Sequence, residues 1–564
     1  MRRSRHRIVV TALLLAVATV AMGCGGNKKE EGSSSSGGGG DLSTSKISNG
    51  DTDAKPKTGG TLTFALEAEN SGGWCLVESQ LAASGIQVMN AVYDPLMAFD
   101  ADFKPQPYLA QSVESNPEHT LFTIKLRPDI KFHDGTPLTS KVVKLNLDLW
   151  KGDPTALAET GRKPLLLPIV FKDMGDVTIV DDLTLTVATK RPWAAFLDYL
   201  AMGRSGIAAE AQLRSSPDDC KQKLIGTGPF KIVKWDRNVE LDLEKNPDYW
   251  MKDKDGVQLP YLDKLIFKPI PSGPDRLTAL QGGAIDAMHT TLVDNFKQVA
   301  SEPDKFNMSS DTEGHREVGY GLINVSKAPF DNLEIRKALG QALDRDRLNK
   351  ISNDGAFTIA NGPFDSAVMG YLPDLKGPKY DPEAARAALE GKNISFNLTY
   401  VTDPNTKKLA EEVQREMGQV GVKVDIAELD QATIITKAIG GDFNLLLWRN
   451  HPGTDPDTQY LWFYSDSPVN FSKIKDPELD KLWDEGRTTT DQTARKAIYE
   501  QINQRMSDMA YEAWNWYSEW RYATTKDVKN FSNYMLPDDN NVANIKGAGM
   551  NWGWSYLAGV WKDS

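Results

Sequence analysis

The chain has 564 residues, 40% of them apolar and 25% charged, close to an ordinary soluble protein and unlike a polytopic membrane protein, a collagen or a wholly disordered chain. Against 65 Lys and Arg stand 77 Asp and Glu, a net charge of −12. An acidic chain repels phosphate backbones, so no nucleic-acid partner is expected. Three cysteines are too few for a disulfide scaffold and too scattered for a zinc site, whereas 14 Trp are enough to line a pocket.

The first element is an address. Arg2, Arg3, Arg5 and Arg7 form a basic start, and residues 8–22 are an apolar run too short to span a bilayer comfortably. The run ends at Ala21, Met22, Gly23 and Cys24. Small residues ahead of a cysteine resemble a bacterial lipobox, with Ala21 standing where Leu is usual. That reading makes 1–23 a lipoprotein signal peptide and Cys24 the lipidated first residue, with two acyl chains enough for a stable anchor. The alternative is an ordinary signal cut with Cys24 incidental. Residues 24–58 carry a Ser run at 33–36 and a Gly run at 37–40 and read as a flexible tether.

Beyond the tether the pattern is mixed α/β. Residues 61–66 and 121–126 alternate as strands, and 177–187 reads as a hairpin turning at Asp181 and Asp182. Thr139 marks the start of a helix over 140–150. Asp381 followed by Pro382 opens a helix to Leu389. Leu409, Val413, Met417 and Val420 share one face of a helix over 407–420. Residues 422–426 alternate again, and 445–448 is a short apolar strand ending at Trp448. A strand over 511–517 is expected to carry Trp514 and Trp516 on one face. No repeat is visible, and several α/β lobes fit better than one barrel.

A search for catalytic chemistry finds little. The six His show no helical metal spacing. Gly203, Arg204, Ser205 and Gly206 lack the glycine spacing of a nucleophile elbow. Gly226 and Gly228 form half a dinucleotide fingerprint, but Pro229 and Phe230 stand where a helix should begin. No catalytic residue, metal or cofactor is therefore expected. Asp455 and Asp457 flank a proline, where turn formation or bonding to a ligand is commoner than acid–base work.

Nine blocks in order carry a resemblance: GTLTFAL at 60–66, VYDPLMAFD at 92–100 with Tyr108 to Ala110 after it, and FTIKLRPDIKFHDGTPLT at 122–139. GTGPFK at 226–231, NPDYW at 246–250 and RLTALQGGAID at 276–286 follow. Asn324 with Pro329 and Phe330, IRKALGQALD at 335–344 and DPD at 455–457 complete the series. Together they resemble the family 5 solute-binding proteins of ABC importers, the peptide- and nickel-type group. The resemblance implies a type II periplasmic-binding-protein-like, two-lobed α/β clamp with an additional third domain. It puts domain I at 59–91, 222–319 and 525–564, domain II at 92–221 and domain III at 320–524. It implies a monomeric extracytoplasmic receptor, held at the membrane by its lipid, that hands a solute or peptide to permease subunits and their ATPases. A secreted hydrolase and a non-transport surface lipoprotein are the rival readings.

Such a receptor needs a cleft that loses water on closing, apolar walls and a few placed polar groups. Trp74, Trp448, Arg449, His451, Asp455, Trp514, Trp516 and Tyr517 are the candidate ligand contacts. In peptide-binding members an Asp a few residues after the Trp448-like residue pairs with the α-ammonium, and His451 stands about there. The usual amino-terminus anchor is therefore expected to be missing. Arg449 suits a carboxylate or phosphate. The alternatives are Asp455 reaching into the cleft, or Arg449 in a surface ion pair. By family the cargo is an oligopeptide, with an anionic or neutral organic solute as the alternative. With Cys24 lipidated, Cys75 and Cys220 remain outside the membrane, both near domain I. They are expected to form a disulfide, the alternative being two separate buried thiols.

Overall fold

The computed structural model describes residues 47–563, apart from 71, 80–81, 101, 311–314, 452 and 532–554. The signal peptide and Cys24 lie outside the described residues, as does the tether up to residue 46.

Three sheets organise the chain. The first has seven strands and begins with Thr61–Leu66, which pairs in parallel with Lys264–Pro269 on one side and Ala287–Thr290 on the other. Phe230–Asp236 and Phe306–Ser310 are its two edges. The second has six strands, with Glu317–Ile323 between Leu445–Asn450 and Glu512–Ser518. The third is a four-stranded antiparallel sheet of Ala110–Ser115, Leu121–Leu126, Met174–Asp181 and Thr184–Thr189. This is a two-lobed clamp with an extra domain. Sheet pairing corrects two domain limits. Arg521–Thr525 pairs with Ala287–Thr290 in the seven-stranded sheet, although 320–524 put most of it in the second lobe. Glu317 heads a strand of the six-stranded sheet, although 222–319 put it in the first. Among the described residues the chain therefore crosses between lobes twice, between Ser310 and Glu317 and between Ser518 and Arg521.

Local chemistry explains the elements that place the cleft. Leu121–Leu126 alternates exposed and buried side chains, as a strand with one wet face must. The hairpin turn is fixed by Asp181, whose Oδ1 accepts the Leu183 N–H at 2.9 Å. Asp381 caps Pro382–Leu389 by accepting from the Ala384 N–H. Asp403 does the same for Pro404–Gln419, which starts three residues before the expected helix.

Gly226 and Gly228 have a packing role. A Cβ on Gly226 would lie 2.0 Å from the Val92 carbonyl oxygen, and one on Gly228 would lie 2.5 Å from the Val92 carbonyl carbon. Only hydrogen fits there, so the half-fingerprint is a seam between backbones. His133 closes the same seam: its N–H donates to Gly226 O, and its ring bonds Gly228 O at 2.9 Å.

Two covalent and ionic ties hold the extra domain. Cys75 and Cys220 are joined by a disulfide across 145 residues of sequence. On the other side Arg487, 1% exposed, donates from Nε to Asp457 Oδ1 at 3.1 Å and from Nη1 to Asp173 Oδ2 at 2.9 Å. Its guanidinium lies 3.9 Å from the Tyr460 ring centre.

The end of the tether is a correction. Residues 47–58 were read as part of a flexible segment, yet Ser48 O accepts the Met308 N–H at 2.8 Å and Gly50 O accepts the Asn530 N–H. The edge strand Phe306–Ser310 would otherwise leave that donor open, and pairing it fixes the segment.

Candidate functional site

The strand Thr61–Leu66 ends at Glu67, at the carboxyl end of a parallel strand, where open α/β sheets present their ligand groups. The Glu67 N–H donates to His289 Nε2 at 3.0 Å, which fixes the loop. From the other lobe, Leu445–Asn450 delivers Arg449. Arg449 Nη2 donates to the Glu67 carboxylate across the cleft. Its Nη1 lies 3.7 Å from Glu317 Oε2, and its guanidinium sits 4.8 Å from the Trp520 ring centre. Trp520 Nε1 in turn donates to Glu317 Oε2 at 3.0 Å. Glu317 and Trp520 border the two crossings, so this cluster stands at the root of the clamp.

Its electrostatics are uneven. Burial works against ionised Glu67, but Arg449, His289 and Arg276 more than offset it and hold the carboxyl below its usual range. Burial also works against charge on Arg449, and Glu67 and Glu317 restore it, keeping the guanidinium firmly protonated. Glu317 goes the other way: burial pushes it up to about 7 despite Arg449, with Glu67 adding to the rise. His451 Nδ1 is 3.8 Å from Glu317 Oε1. Burial, with Arg204 and Arg449 adding like charge, drives the imidazole well below its ordinary value, so it is neutral at pH 7.

Beside this cluster lies a cavity of about 50 Å³ at the junction of both lobes and the extra domain. That is room for a few waters or one small ligand end group. Its apolar wall includes Ile86, Phe99, Leu167, Phe171, Leu461 and Trp462, and Arg204 and His451 face it. Burial lowers Arg204 to about 10, which leaves it charged at pH 7.

Of the residues singled out in the sequence, His451 lines this cavity, and Arg449 sits in the neighbouring cleft cluster. Arg449 is neither an open anion anchor nor an ordinary surface ion pair, because a carboxylate of the opposite lobe takes its charge. Asp455 is elsewhere. Arg495, 1% exposed, grips its carboxylate with both Nη atoms at 2.5 and 2.6 Å, and Asp455 Oδ1 caps Pro456–Gln459 through the Asp457 N–H. Asp457 is likewise held by Arg487.

The remaining aromatics pack. Trp74 is buried against Trp235, ring centres 5.7 Å apart. Half-buried Trp448 meets the edge of Phe471 at 5.8 Å. Tyr517 donates its hydroxyl to Phe364 O at 2.6 Å. Trp514 and Trp516 do not share a face. The pairing with Glu317–Ile323 skips a residue, since Gly319 faces Trp516 and Tyr320 faces Trp514. This bulge turns Trp514 toward Tyr320 and Tyr517 and sends Trp516 into a different core, with Ile323 and Leu445.

Arg204, Glu67 and Glu317 were not picked out in the sequence. Glu67 had a usable signal, an acid directly after an alternating strand. Arg204 had only its place in a segment tested for a catalytic serine. Among the described residues, no group of three or more His, Cys, Asp or Glu converges to hold a metal ion. No helix among them is long and apolar enough to cross a membrane.

Residues 104–471 match the model of bacterial extracellular solute-binding proteins, family 5 Middle. The chain is 26% identical over 467 residues to the glutathione-binding protein GsiB of Pectobacterium atrosepticum, covering 80% of this chain and 87% of that one. It is 28% identical over 440 residues to di/tripeptide-binding protein 1 of Pseudomonas aeruginosa, covering 73% and 80%. Among solved structures it is similar to the binding protein AgaA of A. tumefacien R10 in complex with agropinic acid. There the TM-score is 0.77, with 26% identity over 90% of this chain and 99% of that one. The fold is shared with DppA of Helicobacter pylori in complex with the peptide STSA, at a TM-score of 0.79, 21% identity and coverage of 90% and 99%.

Proposed function

The chain belongs to the bacterial extracellular solute-binding proteins of family 5, the extracytoplasmic receptors of ABC importers; from that premise we propose that its cargo is a short peptide or peptide-like solute held without a carboxylate anchor for its amino terminus. The family captures and delivers solutes, and no catalytic step is assigned to this member. The observation that carries the cargo reading is the cavity beside the clamp root, which His451 lines while Asp455 is turned away into Arg495. Relatives named for glutathione and for di- and tripeptides support a cargo of that size. Residues 24–46 and a lipid on Cys24 then hold a monomeric receptor at the membrane, beside its permease subunits and ATPases.

Isothermal calorimetry against di- and tripeptides, their N-acetylated forms and small organic acids tests the cargo. Peptides are expected to bind with and without N-acetylation. Affinity that collapses on N-acetylation overturns the missing anchor. Binding of organic acids alone, the reading favoured by the similarity to AgaA, overturns the peptide. Detergent-phase partitioning of the membrane-expressed chain, lost in Cys24→Ala, tests the anchor.

A further inference from the structure

The cavity draws its walls from three places: Ile86 from the first lobe, Phe171 and Met202 from the extra domain, and Leu461 and Trp462 from the second lobe. Its polar groups are already engaged within the protein. Ser205 Oγ donates to Tyr199 O at 2.6 Å, Thr454 Oγ1 to Asp198 Oδ1 at 2.8 Å and Thr458 Oγ1 to Asp455 O at 2.8 Å. Asn450 Nδ2 donates to Gln459 Oε1 at 3.1 Å, and Gln459 donates its own amide N–H to His451 O. Arg204 and His451 have interactions of their own as well. What the cavity offers a ligand is therefore apolar surface, from the five wall residues just named and from Val170.

We propose that this cavity is an apolar specificity subsite, taking the branched aliphatic side chain of a Val, Leu or Ile residue of the cargo. The proposal rests on the peptide reading above and names the residue type that the receptor selects. A charged or amide side chain placed here would lose its water and would have to displace a bond that the lining groups already make. An aliphatic end loses only unfavourable hydration and gains contact with the walls. The few waters that the cavity can hold find few open partners there, so they are cheaply displaced. A volume of about 50 Å³ suits the isopropyl end of such a side chain and is short for an aromatic ring. Because both lobes contribute walls, a side chain that fills the subsite touches both and favours the closed clamp.

Calorimetry compares Ala-Ala-Ala with peptides carrying Leu, its polar near-isostere Asn, or Phe at each of the three positions in turn, on wild type, Val170→Phe and Met202→Ala. In the wild type one Leu position is expected to bind about 50-fold tighter than Ala-Ala-Ala, the scale of three more buried carbons, while Asn and Phe at that position bring no gain. Val170→Phe fills the cavity and is expected to bring the Leu and Ala peptides to equal affinity. Met202→Ala widens it and is expected to turn the preference toward Phe. Circular dichroism melts at wild-type temperature establish that the variants are folded, and the Met202 variant serves if the Val170 variant does not fold. Leu peptides that bind no tighter than Ala-Ala-Ala at any position, or Asn that matches Leu, overturn the subsite while leaving the peptide reading in place. A Leu preference unchanged in both variants overturns the assignment to this cavity. Peptides that fail to bind, beside isovalerate that binds and is lost in Val170→Phe, overturn the peptide reading and keep the subsite. Failure of every probe overturns both.

Discussion

Arg449 of one lobe and Glu67 of the other meet across the cleft as an ion pair, with Trp520 beneath the guanidinium. The pair joins the two lobes, and a contact that opening breaks favours the closed form by its own free energy. Both side chains are partly screened, at 34% and 15% exposed, which keeps the contribution modest.

Glu67→Gln removes one charge at constant size. The ligand-free variant is expected to populate the open form more, read as a larger radius of gyration in small-angle scattering. Saturating ligand is expected to restore the compact value at a Kd several-fold weaker. Arg449→Ala leaves Glu67 and Glu317 facing each other and is expected to lose about 2 kcal/mol of stability as well. A scattering profile for Glu67→Gln that matches the wild type would show that the pair does not clasp the lobes.

Asp455→Asn tests whether this carboxylate is structural. The change leaves Arg495 buried with its charge unbalanced and weakens the cap on Pro456–Gln459, so about 3 kcal/mol should be lost in urea unfolding. Ligand affinity of the folded variant should stay within about threefold of the wild type. A stable variant that fails to bind would return Asp455 to the binding site.

The Cys75–Cys220 disulfide closes a loop of 145 residues. The chain-entropy model gives about 5 kcal/mol for that length as an upper figure. Cys75→Ser with Cys220→Ser is expected to lower the Tm by several degrees. The unreduced, denatured wild type should show no free thiol from these two residues. Two thiols there would mean that the bridge is absent.

Stability should fall as pH rises through neutrality. Burial lifts the Glu512 carboxyl to about 8, against the opposing hydrogen bonds from Ser472 and Ile323. Between the ordinary carboxylate range and pH 8, folded Glu512 keeps a proton that the unfolded chain has released. The native state therefore binds more protons, and stability declines across that window by at most about 1.4 kcal/mol per pH unit. Below pH 4 both states are protonated and this slope vanishes. Urea midpoints at pH 5, 6.5 and 8 should fall in the wild type and flatten in Glu512→Gln. Parallel curves would assign the slope to Glu317 or to other groups.

The sequence was legible where a short pattern decides the structure. Alternation set Leu121–Leu126 and the hairpin over 177–187, and an acid followed by proline set the start at Pro382. It was not legible where partners are distant. Trp514 and Trp516 change faces because one residue is skipped against Glu317–Ile323, and no local signal marks that skip. Asp455 and Asp457 look alike as ligand groups until Arg495 and Arg487, 40 and 30 residues on, are brought to them. Arg204 and His451 line one cavity although they lie far apart in sequence.

The leading segment pairs with Met308 through Ser48, and Lys57 forms an ion pair with Asp563 near the other end of the chain. Both attachments are to the seven-stranded lobe. A pull on the leading residues is thus taken up within that lobe, at its edge strand Phe306–Ser310 and at Asp563. Among the described residues the backbone joins the six-stranded lobe to the moored one at the two crossings, so a molecule moored at that end can close on its cargo without dragging its own mooring.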